Sequence, residues 1–520
     1  MSSPSLPQRF NLGAYLLDRH LDEGHGERLA VICGDRRLCY AELSDLAARY
    51  GGLFRAAGLD AGDRVLLVAP DTPDLMAAFL GAIRAGIIPI PVNTMLGGEE
   101  YLHLLADSGA KALLVDGALW PRLEPVAARA KGLREVIACG SEVAGLPSAA
   151  ALLDRAERLS TPANTTADDV AFWLYSSGTT GAPKGVPHRH ADMLAELHGY
   201  AEGVLGLTAA DRTLSAAKLF FAYGLGNGLG FPLGVGATTI LHSGKPTPEA
   251  LVALLIEHRP TVFFGVPSLY AALLQWSAQL QHEAAAREAF CIPRQAVSAG
   301  ESLPAPLIEA FRERFGLEIL DGIGSTEMLH IFISNFPGRV RPGSSGQLVP
   351  GYDARIVDEQ GGDLPAGGTG HLLVRGGSMA GCYWRQPEHS ERIFGDGWCR
   401  TGDKYTRDED GYFWHAGRSD DMLKVKGQWV SPVEVESALL EHPAVRECAV
   451  VGREDEHGLV RPHAFVVASV EDRDKAGLER SIRAHVERAL PDFKRPHWIE
   501  FRPSLPRTAT GKLQRFKLRQ

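Results

Sequence analysis

The stretch Tyr175-Ser-Ser-Gly-Thr-Thr-Gly-Ala-Pro-Lys-Gly185 decides how the rest of this 520-residue chain is read. The apolar run before it, Val170-Ala-Phe-Trp-Leu174, predicts a buried strand. After Tyr175 the chain stops building core. It places three glycines, four hydroxyl residues and the ammonium of Lys184 within ten positions. Glycine lets the backbone approach a ligand closely, and successive N–H groups in such turns form a concave nest for anions. The segment therefore predicts a polyphosphate loop. It is not a Walker loop, because Pro183 precedes the lysine and Gly185 follows it, against the pattern G-x-x-x-x-G-K-[ST]. A flexible Gly/Ser/Thr linker is the competing reading. Tyr, Pro and Lys so close to a buried strand speak against it.

Composition sets the outer bounds. The length predicts more than one domain. Hydrophobic content of 45% and charged content of 22% are those of a soluble globular protein. A net charge of −9 speaks against nonspecific nucleic-acid binding but leaves room for a local anion site. The seven cysteines are scattered, odd in number and without a C-x-x-C pair, so a reducing cytoplasm is expected rather than a disulfide framework or a zinc site. No charged segment leads into an apolar one at the N-terminus, and no signal peptide is expected. The most apolar window, 75–92, contains Arg84, Pro89 and Pro91, so it reads as a helix followed by a strand and not as a membrane span.

Outward from the loop, hydrophobic periodicity predicts helices over 38–57, 74–85, 99–109, 193–205, 248–258, 269–280 and 306–315. Strands are predicted over 63–70, 86–92, 112–115, 237–241, 261–265, 294–298 and 318–320. This alternation indicates an α/β fold with layers of parallel sheet. Beyond about 338 short alternating strands dominate, and from 420 the pattern is that of a compact α+β unit. The chain is therefore divided into a large N-terminal domain, 1–419, with a β-rich subdomain at about 338–419, and a small mobile C-terminal domain, 420–520. Asp420, in the charged turn between them, is the hinge candidate.

Four more stretches place polar residues where no core is being built. Asp321-Gly-Ile-Gly-Ser-Thr-Glu327 follows a strand and reads as a Gly-rich turn at a sheet's carboxyl end, where open α/β sheets bind ligands. Thr326 can donate to a phosphate and Glu327 can hold a hard cation; a capped helix start is the bland alternative. Trp398-Cys-Arg-Thr-Gly-Asp403 offers a carboxylate suited to a ribose diol. Gly417-Arg-Ser-Asp-Asp-Met-Leu-Lys-Val-Lys-Gly427 is basic and bounded by glycine, and a solvated hairpin explains it equally well. Leu505-Pro-Arg-Thr-Ala-Thr-Gly-Lys-Leu-Gln-Arg515 frames Lys512 between glycine and a hydroxyl run.

Together, over nearly the whole chain and in order, these stretches resemble the adenylate-forming superfamily of acyl-CoA synthetases, peptide-synthetase adenylation domains and luciferase-like enzymes. Lys218-Leu-Phe-Phe-Ala-Tyr-Gly-Leu-Gly-Asn227 and the residues after Asp321 look like the benzoate–CoA ligases and their hydroxybenzoate relatives. The resemblance implies ligation of an aryl carboxylate, benzoate foremost, to coenzyme A through an acyl-AMP, with ATP, Mg²⁺ and coenzyme A as cofactors. Ser176, Ser177, Gly178, Thr179, Thr180, Gly181 and Lys184 would hold the β- and γ-phosphates. Gly300, Glu301, Asp321, Gly322 and Ile323 complete the ATP site, with Asp403 and Arg418 on the ribose. Thr326 would touch the α-phosphate, Glu327 would hold Mg²⁺, and Lys512 would bridge substrate carboxylate and α-phosphate. Phe221, Ala222, Tyr223, Gly324, His330 and Ile331 match the aryl pocket, where Gly324 is expected to leave space beside the adenylate. Asp420, Lys424, Lys426 and Gly427 match the hinge and the coenzyme A tunnel.

Two departures from the superfamily stand out: Ile323 replaces an aromatic, and Lys426 stands where a small residue is expected. The alternatives are a ligase for hydroxy- or aminobenzoate and a standalone enzyme loading a carrier protein. Neither nucleic acid nor membrane is an expected partner. A lysine acetyltransferase acting on Lys512 and a homodimer are the partner expectations that remain.

Overall fold

The computed structural model describes residues 7–176, 182–425, 428–456, 459–469, 475–507 and 513–519. Among them the largest sheet has nine strands. Six run parallel and form its centre, in the order Ile319–Gly324, Gln295–Ser298, Val262–Gly265, Arg212–Ser215, Thr238–Ile240 and Leu29–Cys33. Antiparallel strands flank them: Ile331–Ser334 and then Gln347–Leu348 on one side, Arg36–Cys39 on the other. The helix Pro248–His258 leads from Thr238–Ile240 past Arg212–Ser215 to Val262–Gly265, and Ala305–Phe315 joins the neighbours Gln295–Ser298 and Ile319–Gly324. The first of these helices starts on the Thr247 hydroxyl, which accepts from the Ala250 N–H, with proline at the next position.

A second, parallel sheet of four described strands carries Ile88–Pro91, Arg64–Val68, Ala112–Asp116 and Glu135–Cys139. Its first strand contains Pro89 and Pro91, and it lies at the sheet's edge. Ile88 donates to the Asp63 carbonyl and Val92 to the Leu67 carbonyl, so the even positions face the neighbour and the prolines face away, where no donor is needed.

The β-rich unit is an antiparallel sheet of Tyr352–Val357, Thr369–Gly376, Cys399–Arg407 and Phe413–Arg418. A turn at residues 419–421 leads into the hairpin Leu423–Val425 and Gln428–Val430. Beyond it, Val445–Glu454, Val460–Ala468 and Trp498–Phe501 form a sheet packed by helices Pro432–Leu440 and Lys475–Ala489 around their own core. The expected mixed α/β architecture is present. No helix among the described residues is long and apolar enough to cross a membrane.

Candidate active site

Polar residues gather beyond the carboxyl ends of the central parallel strands. The Gly/Ser/Thr stretch lies between the paired strands Val170–Ser176 and Lys184–Arg189, with Ser176 opposite Lys184. Ala171 to Leu174 are fully buried, as the apolar run predicts. Ser177, Gly178, Thr179, Thr180 and Gly181 lie outside the described residues. Of the described ends, Ser176 Oγ donates to Glu327 Oε1 at 3.1 Å. Lys184 Nζ lies 2.9 Å from His389 Nε2 and 5.3 Å from the centroid of the Tyr383 ring.

The stretch 321–327 differs from its sequence reading. The strand continues through Gly324 instead of turning at Asp321. Gly322 and Gly324 are required by the antiparallel neighbour Ile331–Ser334. A Cβ on Gly322 would stand 2.8 Å from the Ile333 carbonyl oxygen, and one on Gly324 would stand 2.6 Å from the His330 carbonyl carbon. The room at Gly324 is therefore filled by the protein's own backbone, which corrects the expectation that it opens space beside the adenylate. Asp321 is buried, and burial pushes its carboxyl well above the usual carboxylate range. Ile323 beyond it is half-buried.

Ser325 then caps a short turn, Thr326–Met328, by accepting from the Met328 N–H. Leu329 takes φ +67°, a rare conformation for leucine, and turns the chain back into the next strand. His188 Nε2 lies 2.8 Å from the Thr326 carbonyl oxygen, and Nδ1 lies 3.2 Å from Asp192 Oδ2. A carbonyl can only accept, so Nε2 carries the proton and this buried imidazole pins the backbone of Thr326.

Glu327 Oε1 accepts from both the Ser176 hydroxyl at 3.1 Å and the Tyr383 hydroxyl at 2.8 Å. Among the described residues its Oε2 has no hydrogen-bond partner. One carboxylate oxygen is anchored and the other is open, in an oxygen-rich setting that suits a hard divalent cation.

On the β-rich unit, Asp403 pairs across the sheet with Arg418, whose Nη1 donates to Asp403 Oδ1 at 3.3 Å and to the Thr401 carbonyl at 3.2 Å. Gly300, at φ +97°, and Glu301 follow the strand Gln295–Ser298. Arg507 Nη1 lies 3.9 Å from Glu301 Oε2, and Arg515 Nη2 lies 2.7 Å from Glu436 Oε2. Of the described flanks of the C-terminal motif, Arg507 therefore faces Glu301 and Arg515 faces Glu436. Lys512 itself, like Lys426 and Gly427, lies outside the described residues. Lys424 is exposed on the hairpin. Asp420 is exposed in the turn, its carbonyl accepting from Arg519, which also pairs with Asp421.

The aryl-pocket residues come together. Phe221 precedes the helix Ala222–Leu225, which continues as a π-helical turn, Gly226–Gly230; such turns recur at functional sites. Phe221, Ala222 and Tyr223 are half-buried, whereas His330 and Ile331 are buried behind them. His330 packs against Tyr200, Tyr223 and Phe231, with ring centroids at 5.2, 5.4 and 4.6 Å. A Cβ on Gly226 would meet its Cδ2 at 2.6 Å. Its Nε2 faces the Tyr223 carbonyl at 3.2 Å and Asn227 Oδ1 at 3.1 Å, so Nε2 bears the proton and Nδ1, without a partner among the described residues, is an acceptor. Burial lowers its pKa to about 3, which keeps the ring neutral.

Sequence reasoning missed Tyr383, His389, His188 and Asp192. Only the polar pair after the buried Val186-Pro187 could have pointed to His188.

Residues 17–384 match the AMP-binding enzyme family and 434–512 its C-terminal domain. The chain is 46% identical over 516 residues to a benzoate–CoA ligase of Thauera aromatica, covering 99% of this chain and 96% of that one. Its structure is similar to an anthranilate–CoA ligase in complex with anthranoyl-AMP (TM-score 0.93, 40% identity, 99% of this chain and 97% of that one). It is also similar to a benzoate–CoA ligase from Burkholderia xenovorans LB400 (TM-score 0.90, 45% identity, 98% and 100%). By these matches the chain belongs to the AMP-binding enzyme family and is an acid–thiol ligase of the adenylate-forming superfamily.

Proposed function

We propose that this protein ligates an aryl carboxylate, benzoate foremost, to coenzyme A through an acyl-AMP. The observation that carries the reading is the bond between Ser176 and Glu327, 151 residues apart, which joins the polyphosphate loop to the turn bearing Thr326. A carboxylate has no good leaving group, and ATP supplies one. Its oxygen attacks the α-phosphate and pyrophosphate departs, so the protein's task is positioning and neutralising charge. In this reading Thr326, whose carbonyl His188 holds, meets the α-phosphate, and Asp403 with Arg418 meets the ribose diol. The open oxygen of Glu327 fits Mg²⁺, which when bound neutralises phosphate charge. Lys512 is assigned to the reacting carboxylate and α-phosphate, a role supported by the flanking Arg507, which faces Glu301. The C-terminal unit then turns about Asp420 so that the 424–427 hairpin can admit the thiol.

The finer expectations travel with this reading: a cytoplasmic enzyme, a homodimer, and silencing of Lys512 by a lysine acetyltransferase that removes its charge. A hydroxy- or aminobenzoate is the second reading, favoured by the unpartnered acceptor Nδ1 of His330 behind the pocket wall. The test is an ATP-dependent thioester assay with free coenzyme A across benzoate, 2-aminobenzoate and 3- and 4-hydroxybenzoate. Benzoyl-CoA formed at the highest kcat/KM is the expected result. Acyl-AMP formation with no transfer to free coenzyme A would overturn it in favour of a carrier-loading enzyme.

A further inference from the structure

The helix Pro387–Phe394 brings two basic side chains, His389 and Arg392, against Lys184. Arg392 Nη2 lies 2.6 Å from His389 Nδ1, and Lys184 Nζ lies 2.9 Å from His389 Nε2. The imidazole stacks on Tyr383 at 4.8 Å and 29°, and the Tyr383 hydroxyl ends on Glu327. Three nitrogen groups thus line up one tyrosine ring away from the carboxylate that fits the cation.

The hydrogen inventory of this line does not close. A guanidinium only donates, so Nδ1 must accept. The single proton of a neutral imidazole then sits on Nε2, where it meets an ammonium that also only donates. Among the described residues, no carboxylate forms an ion pair with Lys184 or Arg392 to relieve the conflict. Burial first and then the neighbouring cations depress His389, and burial depresses Lys184. Arg392 is exposed and the other two are half-buried, so the line opens to solvent. An anion lying across it would give every N–H an acceptor.

We propose that Lys184, His389 and Arg392 form the subsite for the β- and γ-phosphates of ATP and for the departing pyrophosphate. This rests on the adenylating reading above and adds two residues from outside the loop. In that step an oxygen of the substrate carboxylate bonds to the α-phosphorus. The bond from that phosphorus to the α,β-bridging oxygen breaks, and its electron pair leaves with pyrophosphate. Charge grows on the leaving group, where the two cations and the imidazole N–H between them wait for it.

The test is calorimetric titration of the full chain with inorganic pyrophosphate and, separately, with AMP. It uses wild type, His389→Ala, Arg392→Ala and His389→Lys, alongside KM for ATP. Each alanine variant should weaken pyrophosphate and raise KM for ATP about tenfold, the scale of one lost charge-assisted hydrogen bond. AMP affinity should not change, and His389→Lys should recover pyrophosphate binding. Unchanged pyrophosphate affinity in both alanine variants would overturn the subsite, as would equal weakening of AMP, which would mark a structural role. A wild-type protein that binds pyrophosphate through these residues yet forms no acyl-CoA would refute the ligase reading alone.

Discussion

Removing one hydroxyl, in Tyr383→Phe, isolates what holds Glu327 in place. The Tyr383 ring is 5% exposed and packs with Val186, Ala380 and Phe394, so phenylalanine fills the same space. Its backbone is anchored because the next residue, Trp384, donates its N–H to the Gly185 carbonyl at 2.8 Å. Only the 2.8 Å bond to Glu327 Oε1 is lost. Burial and the nearby Glu327 push the phenol far above its usual range, so the group is a donor at every assay pH. A hydrogen bond to a charged acceptor contributes about 1.5–3 kcal/mol. Ser176 still reaches the same oxygen, which sets the expectation at the lower end. A loss of about 1.5–2 kcal/mol corresponds to roughly a 10- to 30-fold fall in the adenylation rate. Benzoate-dependent ATP–pyrophosphate exchange measures it, beside thioester formation from supplied benzoyl-AMP. With Ser176→Ala added, the two losses should couple, since both donors serve one oxygen. Exchange at the wild-type rate, or an equal fall in both half-reactions, would refute the assignment of Glu327 to adenylation.

Lys512→Ala should abolish acyl-AMP formation while thioester formation from supplied acyl-AMP continues; surviving pyrophosphate exchange would remove Lys512 from the first half-reaction. Gly324→Ala should destabilise the protein by about 1–3 kcal/mol or more, because the new methyl meets backbone and not a yielding side chain; an unchanged melting curve with intact activity would contradict the close strand approach. Glu196 is buried, accepts from Tyr352 at 2.7 Å and Ser378 at 3.1 Å, and has its pKa raised to about 8 by burial. Between pH 4.5 and 8 the unfolded chain releases this proton and the folded one keeps it, so stability is full below that window and declines across it, by on the order of a few kcal/mol. Glu196→Gln should flatten that decline in thermal unfolding, and an identical pH profile would show that the carboxyl is already ionised in the fold.

How much of this was legible in the sequence depends on whether a residue's reason is local. The helix over 248–258 is read to the residue because its cap, its leading proline and its apolar period all lie within it. The buried strand that leads into the hydroxyl-rich stretch is legible because its apolar run is continuous. The central strand Leu29–Cys33 went unread, as did the helix Leu12–Asp22 before it. Five residues of strand carry too little pattern on their own. The site's supporting residues are illegible for a stronger reason. His188 acts on Thr326 from 138 positions away, and His389 meets Lys184 from 205. Each alone is an ordinary aromatic or basic residue.

The glycines of Asp321-Gly-Ile-Gly324 mark the point at which local reading gives the wrong cause. A glycine can signal a turn, room for a ligand, or the close approach of another strand. Composition cannot separate the three. Both glycines here answer to the strand Ile331–Ser334, which folds back onto them. That strand begins one residue after His330 and brings His330 and Ile331 behind the aryl pocket. The close approach therefore has a functional consequence. The strand that leads to Thr326 and Glu327, proposed to meet the phosphates, is clamped to the strand that carries His330 and Ile331, proposed to back the pocket. A substitution that pushes the two apart should disturb acid selectivity and adenylation together, while a change confined to Phe221 or Tyr223 should alter selectivity alone.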